Sequence, residues 1–266
     1  MKPRGIYLLP SLFTAANLSS GFLSIIFAIN GDYTIAAWAI IFSILMDAVD
    51  GRVARWTNAT SSFGVEFDSL ADLLSFGVAP AILMYQMLLH TLHRPGIAIA
   101  LFYVLAGGLR LARFNVKAQN GESSSEFTGL PIPAGAGMLA SFALSYELFV
   151  TGQEGLARRY IPIVMEKMPF FMKMIPVFMV VIAALMISTV PYIAFKKFKV
   201  DRPKSLQLIT LILIGIILMI TYPQNTIFII FLGYLLSGVA GYLLRYWRFR
   251  RSIALMSRLK KNGNQQ

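Results

Sequence analysis

Residues 33–72 read YTIAAWAIIFSILMDAVDGRVARWTNATSSFGVEFDSLAD, and this stretch decides the fold. It opens on an uncharged apolar run and then places Asp47, Asp50, Asp68 and Asp72 inside or beside segments of membrane-spanning character. Carboxylates are costly there, so their presence marks a functional site. Five of the chain's 12 acidic residues, the four aspartates and Glu66, fall within this stretch.

Outward from it, 57% of the residues are hydrophobic and 14% are charged. A soluble protein carries about a quarter charged residues, so the composition reads as a polytopic membrane protein. Apolar stretches near the length of about 20 residues that crosses a bilayer lie at roughly 6–28, 33–54, 68–90, 96–115, 130–150, 170–195, 205–222 and 225–246. The expected fold is therefore all-α, a membrane helix bundle of about eight transmembrane helices. Pro10 and Asn17 predict that the first is an interrupted or partly interfacial helix, and it lacks a cleavable signal pattern and reads as retained. The whole chain, 1–266, reads as one integral membrane domain: a core to about residue 195, additional helices over about 205–246 and a basic tail at 247–266.

Of the 24 Lys and Arg, 19 fall on one side of this arrangement and 5 on the other. The positive-inside rule then predicts both termini cytoplasmic, with the aspartates at the cytoplasmic face of the inner membrane. The net charge of +12 is explained by these short basic loops and by anionic lipid headgroups, so no nucleic-acid partner is expected. With no cysteine, thiolate chemistry and Cys-type zinc sites are excluded.

Helical phase brings the acids together. Asp47, Asp50, Gly51, Ala54 and Arg55 share one face of the second span, and Gly64, Asp68 and Asp72 share one face at the start of the third. A turn over 56–63 lets the two faces converge. Four like charges in one small site need compensating cations, and oxygen-only ligands point to two hard divalent ions, Mg²⁺ or Mn²⁺. Gly51, Ala54 and Gly64 leave room for a bulky ligand, and the Arg55 fork suits phosphate. The chemistry implied is metal-assisted phosphoryl transfer. A structural network with Arg52 or Arg55, or an ion-coupled transporter, is the alternative; transport predicts ionisable residues spread through the midplane, whereas these gather at one face.

At these residues the chain resembles the CDP-alcohol phosphotransferase family, whose signature Asp-x2-Asp-Gly-x2-Ala-Arg-x8-Gly-x3-Asp-x3-Asp is matched at all eight fixed positions from Asp47 to Asp72. The resemblance implies a binuclear metal site held by Asp47, Asp50, Asp68 and Asp72, with Asp72 also the general base and with Gly51, Ala54, Arg55 and Gly64 lining the CDP moiety. Asp68–Ala81 (DSLADLLSFGVAPA), Leu109–Asn115 (LRLARFN) and Phe127–Gly137 (FTGLPIPAGAG) resemble the branch whose acceptor is L-serine. That likeness covers about the first 140 residues and implies CDP-diacylglycerol and L-serine as substrates, membrane lipids as surroundings and a homodimer. Another acceptor, glycerol phosphate or inositol phosphate, is the second reading.

Six flanking positions extend the candidate site. Arg110 and Arg113, three apart at the end of the fourth span, either hold the serine carboxylate or mark the inner interface. Asn115 and Thr128 either border the polar pocket or serve the start of the fifth span, where Pro131 and Pro133 suit a first helical turn. Thr14 and Asn17 either face the CDP-lipid or satisfy backbone groups of an irregular helix. Glu66, out of phase with Asp68, reads as a solvated turn residue, and His90 and His93 as interfacial.

Overall fold

In a bilayer every backbone N–H and C=O must be satisfied within the chain, and an apolar segment of membrane length does so by forming a helix. The computed structural model, which describes residues 8–57, 62–119, 127–150, 162–192 and 205–263, is helical accordingly. Its helices are α1 (Leu8–Asn30), α2 (Tyr33–Thr57), α3 (Ser62–Asp72), α4 (Ala79–Met87), α5 (Arg94–Gln119), α6 (Ile132–Val150), α7 (Pro162–Ile187), α8 (Ser205–Thr221) and α9 (Pro223–Gly263). A π-helical turn, Leu73–Val78, joins α3 to α4 as one rod.

Helices occupy all eight positions expected from the sequence. Among the described residues, five segments are long and apolar enough to cross a membrane: Ser11–Asn30, Tyr33–Val53, Phe63–Met87, Arg94–Ala118 and Pro223–Tyr242. Shorter apolar helices cover Ile132–Tyr146 and Lys173–Ile187. Three boundaries move. The third span begins at Ser62, so Glu66 is an exposed helical residue and not part of a turn. The sixth stops at Ile187 and not near 195. The last runs on unbroken from Pro223 to Gly263, 41 residues, carrying the basic tail as helix. At 1.5 Å per residue that is about 60 Å, roughly twice the hydrocarbon thickness.

Small residues let the helices approach. Ala36, Ala37, Ala106, Ala136, Ala140 and Ala143 are wholly buried, as expected where lipid supplies no hydrophobic drive and close packing must hold helices together. The larger core side chains Ile40, Phe76, Leu83, Met84, Tyr103 and Met138 fill what remains. Leu45, Leu101, Leu105 and Ile220 point outward, suited to acyl chains. Serines tie α1 to its neighbours: Ser20 Oγ donates to Ala39 O at 2.8 Å, Ser24 Oγ to Ala36 O at 2.8 Å and Ser43 Oγ to Asn17 O at 2.9 Å.

The end of α7 explains the shortened sixth span. Leu130 N–H donates to Leu185 O at 3.0 Å, Gly129 N–H to Val190 O at 2.8 Å, and Phe127–Thr128 pairs antiparallel with Pro191–Tyr192. The first of these bonds satisfies a carbonyl that the terminus of α7 leaves open, and the others hold the chain just beyond it. Gly129 sits at φ 86°, and a Cβ there would strike the Ser188 and Met186 carbonyl oxygens, so glycine is required. The two-residue pairing is the only extended structure among the described residues.

Candidate active site

The site is built where the end of α2 meets α3 and both rest on α1. Asp47 projects from α2, and Asp68 and Asp72 from successive turns of α3. One carboxylate oxygen from each of the three lies within 4.8 Å of the others. Asp50, one turn beyond Asp47, is buried and turns toward α1, where Thr14 Oγ1 donates to its Oδ2. Its charge still acts on Asp47 and Asp68. The structure therefore arranges the four acids as a trio plus one.

α1 supplies the supports. Asn17 Nδ2 donates to Asp72 Oδ1 at 3.2 Å. Asn17 is itself fully buried, and its backbone oxygen accepts from Ser43 Oγ of α2 and, at 3.0 Å, from Ser75 Oγ of the π turn. Gly21 makes the second bond possible, because a Cβ there would collide with Ser75. The side chains of Thr14 and Asn17 thus reach the carboxylates of Asp50 and Asp72.

The π turn follows Asp72 directly. Pro80 has no N–H to offer the carbonyl four residues back, that of Phe76, and the buried Tyr103 OH of α5 donates to it at 3.2 Å. One extra residue in the turn changes the phase of everything after Asp72, so Ser75 faces α1 while Asp68 and Asp72 face Asp47. Sequence reasoning missed this turn; Gly77 and Pro80 close behind Asp72 were the available signal.

The small positions divide. Gly51 is exposed and fronts open space, as a ligand-facing glycine would. Gly64 is half-buried on α3. The side chains of Ala54, Arg55 and Thr128 lie outside the described residues, although the backbones of Ala54 and Arg55 continue α2 and that of Thr128 pairs with Pro191.

Arg110 and Arg113 do not converge on one point. Arg110 turns into the bundle, where its guanidinium acts on Asp72 and on Tyr234 of α9, and its Nε is buried with no partner among the described residues. Arg113 is exposed and donates from Nη1 to Ile187 O at 3.5 Å, placing a cation at the C-terminus of α7. Asn115 Nδ2 donates to Ser69 Oγ at 2.8 Å, tying the end of α5 to the turn between Asp68 and Asp72.

The donor set fits a hard divalent cation. The trio offers only carboxylate oxygens, its charges repel one another in the absence of a cation, and Asn17 Oδ1 beside it is a buried acceptor without a donor among the described residues. Glu66 is exposed and outside the trio, and His90 and His93 lie between α4 and α5, at the end of the rod remote from Asp72.

Comparison with known proteins agrees with this geometry. The CDP-alcohol phosphatidyltransferase family model matches residues 7–165. A Helicobacter pylori protein named CDP-diacylglycerol–serine O-phosphatidyltransferase is 35% identical over 241 residues, 90% of this chain and 92% of that protein. A Bacillus subtilis protein of the same name is 38% identical over 152 residues, 56% of this chain and 84% of its own length. The archaetidylserine synthase of Methanothermobacter thermautotrophicus is 43% identical over 139 residues, 52% of this chain and 58% of its own.

Proposed function

The chain belongs to the CDP-alcohol phosphatidyltransferase family, and from that premise we propose that it transfers the phosphatidyl group of CDP-diacylglycerol to the hydroxyl of L-serine. The observation that carries the transfer chemistry is the convergence of Asp47, Asp68 and Asp72 to within 4.8 Å. The serine acceptor rests on the names of the relatives, one of them alike over 90% of this chain.

Asp47, Asp50, Asp68 and Asp72 would hold two divalent ions, Mg²⁺ or Mn²⁺. When bound, such ions neutralise pyrophosphate charge and favour departure of the nucleotide. The rest falls to the chain's own groups. Gly51, Ala54, Arg55 and Gly64 lie along the CDP moiety, with Gly51 leaving its backbone open to approach. Asp72, oriented by Asn17, takes the proton of the serine hydroxyl. The serine oxygen bonds to the lipid-side phosphorus as the bond from that phosphorus to the bridging oxygen breaks, and CMP leaves with the electron pair. Thr14 fixes Asp50, and Asn115 steadies Ser69 between two of the acids. Arg110 supplies positive charge beside Asp72 for the acceptor's carboxylate.

The excess of Lys and Arg on one side supports a site facing the cytoplasm in the inner membrane, in a homodimer as the resemblance implies. Incubating the purified protein with CDP-diacylglycerol and radiolabelled L-serine is expected to move label into the organic phase as phosphatidylserine. Label that stays in the aqueous phase contradicts the serine assignment.

A further inference from the structure

We propose that the last helix completes an acceptor-anion subsite beside Asp72, in which Tyr234 positions Arg110 and the Tyr192 hydroxyl binds the acceptor's carboxylate or phosphate. The proposal rests on the transfer reading above and adds to it residues outside the segment, 7–165, that matches the family.

Two buried donors are left open in the neighbourhood of Tyr234. Arg110 Nε, on α5, has no partner among the described residues, and neither has the hydroxyl of Tyr192, a residue 1% exposed. Tyr234 interacts electrostatically with both residues, and its ring lies 5.6 Å from that of Tyr192. Arg110 also acts on Asp72, so its guanidinium links the two tyrosines to the carboxylate assigned as base.

The group is held firmly. Tyr192 pairs through its backbone with Phe127, and its ring fills the notch at Gly238 of α9, where a Cβ would overlap it. Burial, and then the neighbouring Tyr234, push the Tyr192 phenol up to about 12, so it remains a protonated donor at neutral pH. Buried donors without acceptors cost free energy unless a ligand completes them. A guanidinium N–H and a phenol O–H are both donors, and the complementary ligand group is an anion. L-Serine and the phosphorylated alternatives all carry one.

The same arrangement gives the C-terminal helices a role in the reaction. α9 packs against α6 and against the Pro191–Tyr192 segment, which brings Tyr234 and Gly238 to the edge of a site otherwise built from α1, α2, α3 and α5.

The test uses the full-length protein in detergent with CDP-diacylglycerol and whichever of L-serine, sn-glycerol 3-phosphate or inositol phosphate the wild type consumes. Tyr234→Phe and Tyr192→Phe are each expected to raise the acceptor KM about 5- to 50-fold while the CDP-diacylglycerol KM stays within about twofold. They are also expected to shrink the preference for the anionic acceptor over its uncharged-group analogue, L-serinamide for serine or the unphosphorylated alcohol for the others. Both acceptor KM values within twofold of wild type, or a fall in kcat with selectivity intact, would overturn the subsite. A wild type that consumes a phosphorylated alcohol and not serine refutes the serine reading while the subsite is judged on that alcohol. A wild type that consumes none of the three overturns both.

Discussion

Asp72→Asn is expected to keep binding CDP-diacylglycerol and to lose about 10²- to 10⁴-fold in turnover, the range that a positioned proton acceptor contributes. The substitution is nearly isosteric. Its amide oxygen can still accept from Asn17 Nδ2, which now reaches Asp72 Oδ1 at 3.2 Å, so the α1–α3 contact survives. What disappears is the basic oxygen and one negative charge of the Asp47–Asp68–Asp72 trio. Titration with CDP-diacylglycerol and single-turnover release of CMP separate binding from chemistry. Turnover near the wild-type rate would refute the assignment of Asp72 as base.

Asp47→Asn is expected to raise the concentration of Mg²⁺ or Mn²⁺ needed for half-maximal activity by at least about 10- to 100-fold, since even residues that only support metal ligands have effects of that size. Stability provides a readout independent of turnover. In the wild type, Mn²⁺ at about 100 times its dissociation constant stabilises the fold by about 2.7 kcal/mol. In Asp47→Asn that response is lost over the same concentrations. Under chelator the order changes: three carboxylates whose oxygens lie within 4.8 Å repel one another, so removing one charge leaves the metal-free variant at least as stable as the metal-free wild type. Thermal unfolding in detergent, with and without Mn²⁺, measures both effects. A variant that responds to Mn²⁺ as the wild type does would exclude Asp47 from the metal centre.

The parts of this site legible in the sequence are those fixed by local periodicity. Asp47 and Asp50 share a helical face because they are three apart, and Asp68 and Asp72 because they are four apart. The eight apolar stretches likewise gave the positions of the helices, since each must satisfy its own backbone in lipid. The departures come from contacts between segments distant in sequence. The separation of Asp50 from the other three acids depends on Thr14, 36 residues earlier. Ser75 reaches Asn17 only because a π turn rotates it toward α1 and Gly21 leaves room.

Arg110 and Arg113 illustrate the same limit. Their spacing places them near one another on α5, yet Arg113 is drawn to the carbonyl of Ile187, 74 residues later, while Arg110 turns inward to Asp72. The sixth span ends early because residues 127–130 satisfy the terminus of α7, a pairing that hydropathy does not register. Tyr192 and Tyr234 carried no signal beyond that of two aromatic residues in or near apolar sequence.

The central claim is most directly measured by CMP release from CDP-diacylglycerol by the purified full-length protein, comparing L-serine, sn-glycerol 3-phosphate and no acceptor, each with Mg²⁺, with Mn²⁺ and with chelator. Release is expected to require both L-serine and a divalent ion. Release that persists under chelator, or that follows another alcohol in place of L-serine, would contradict it.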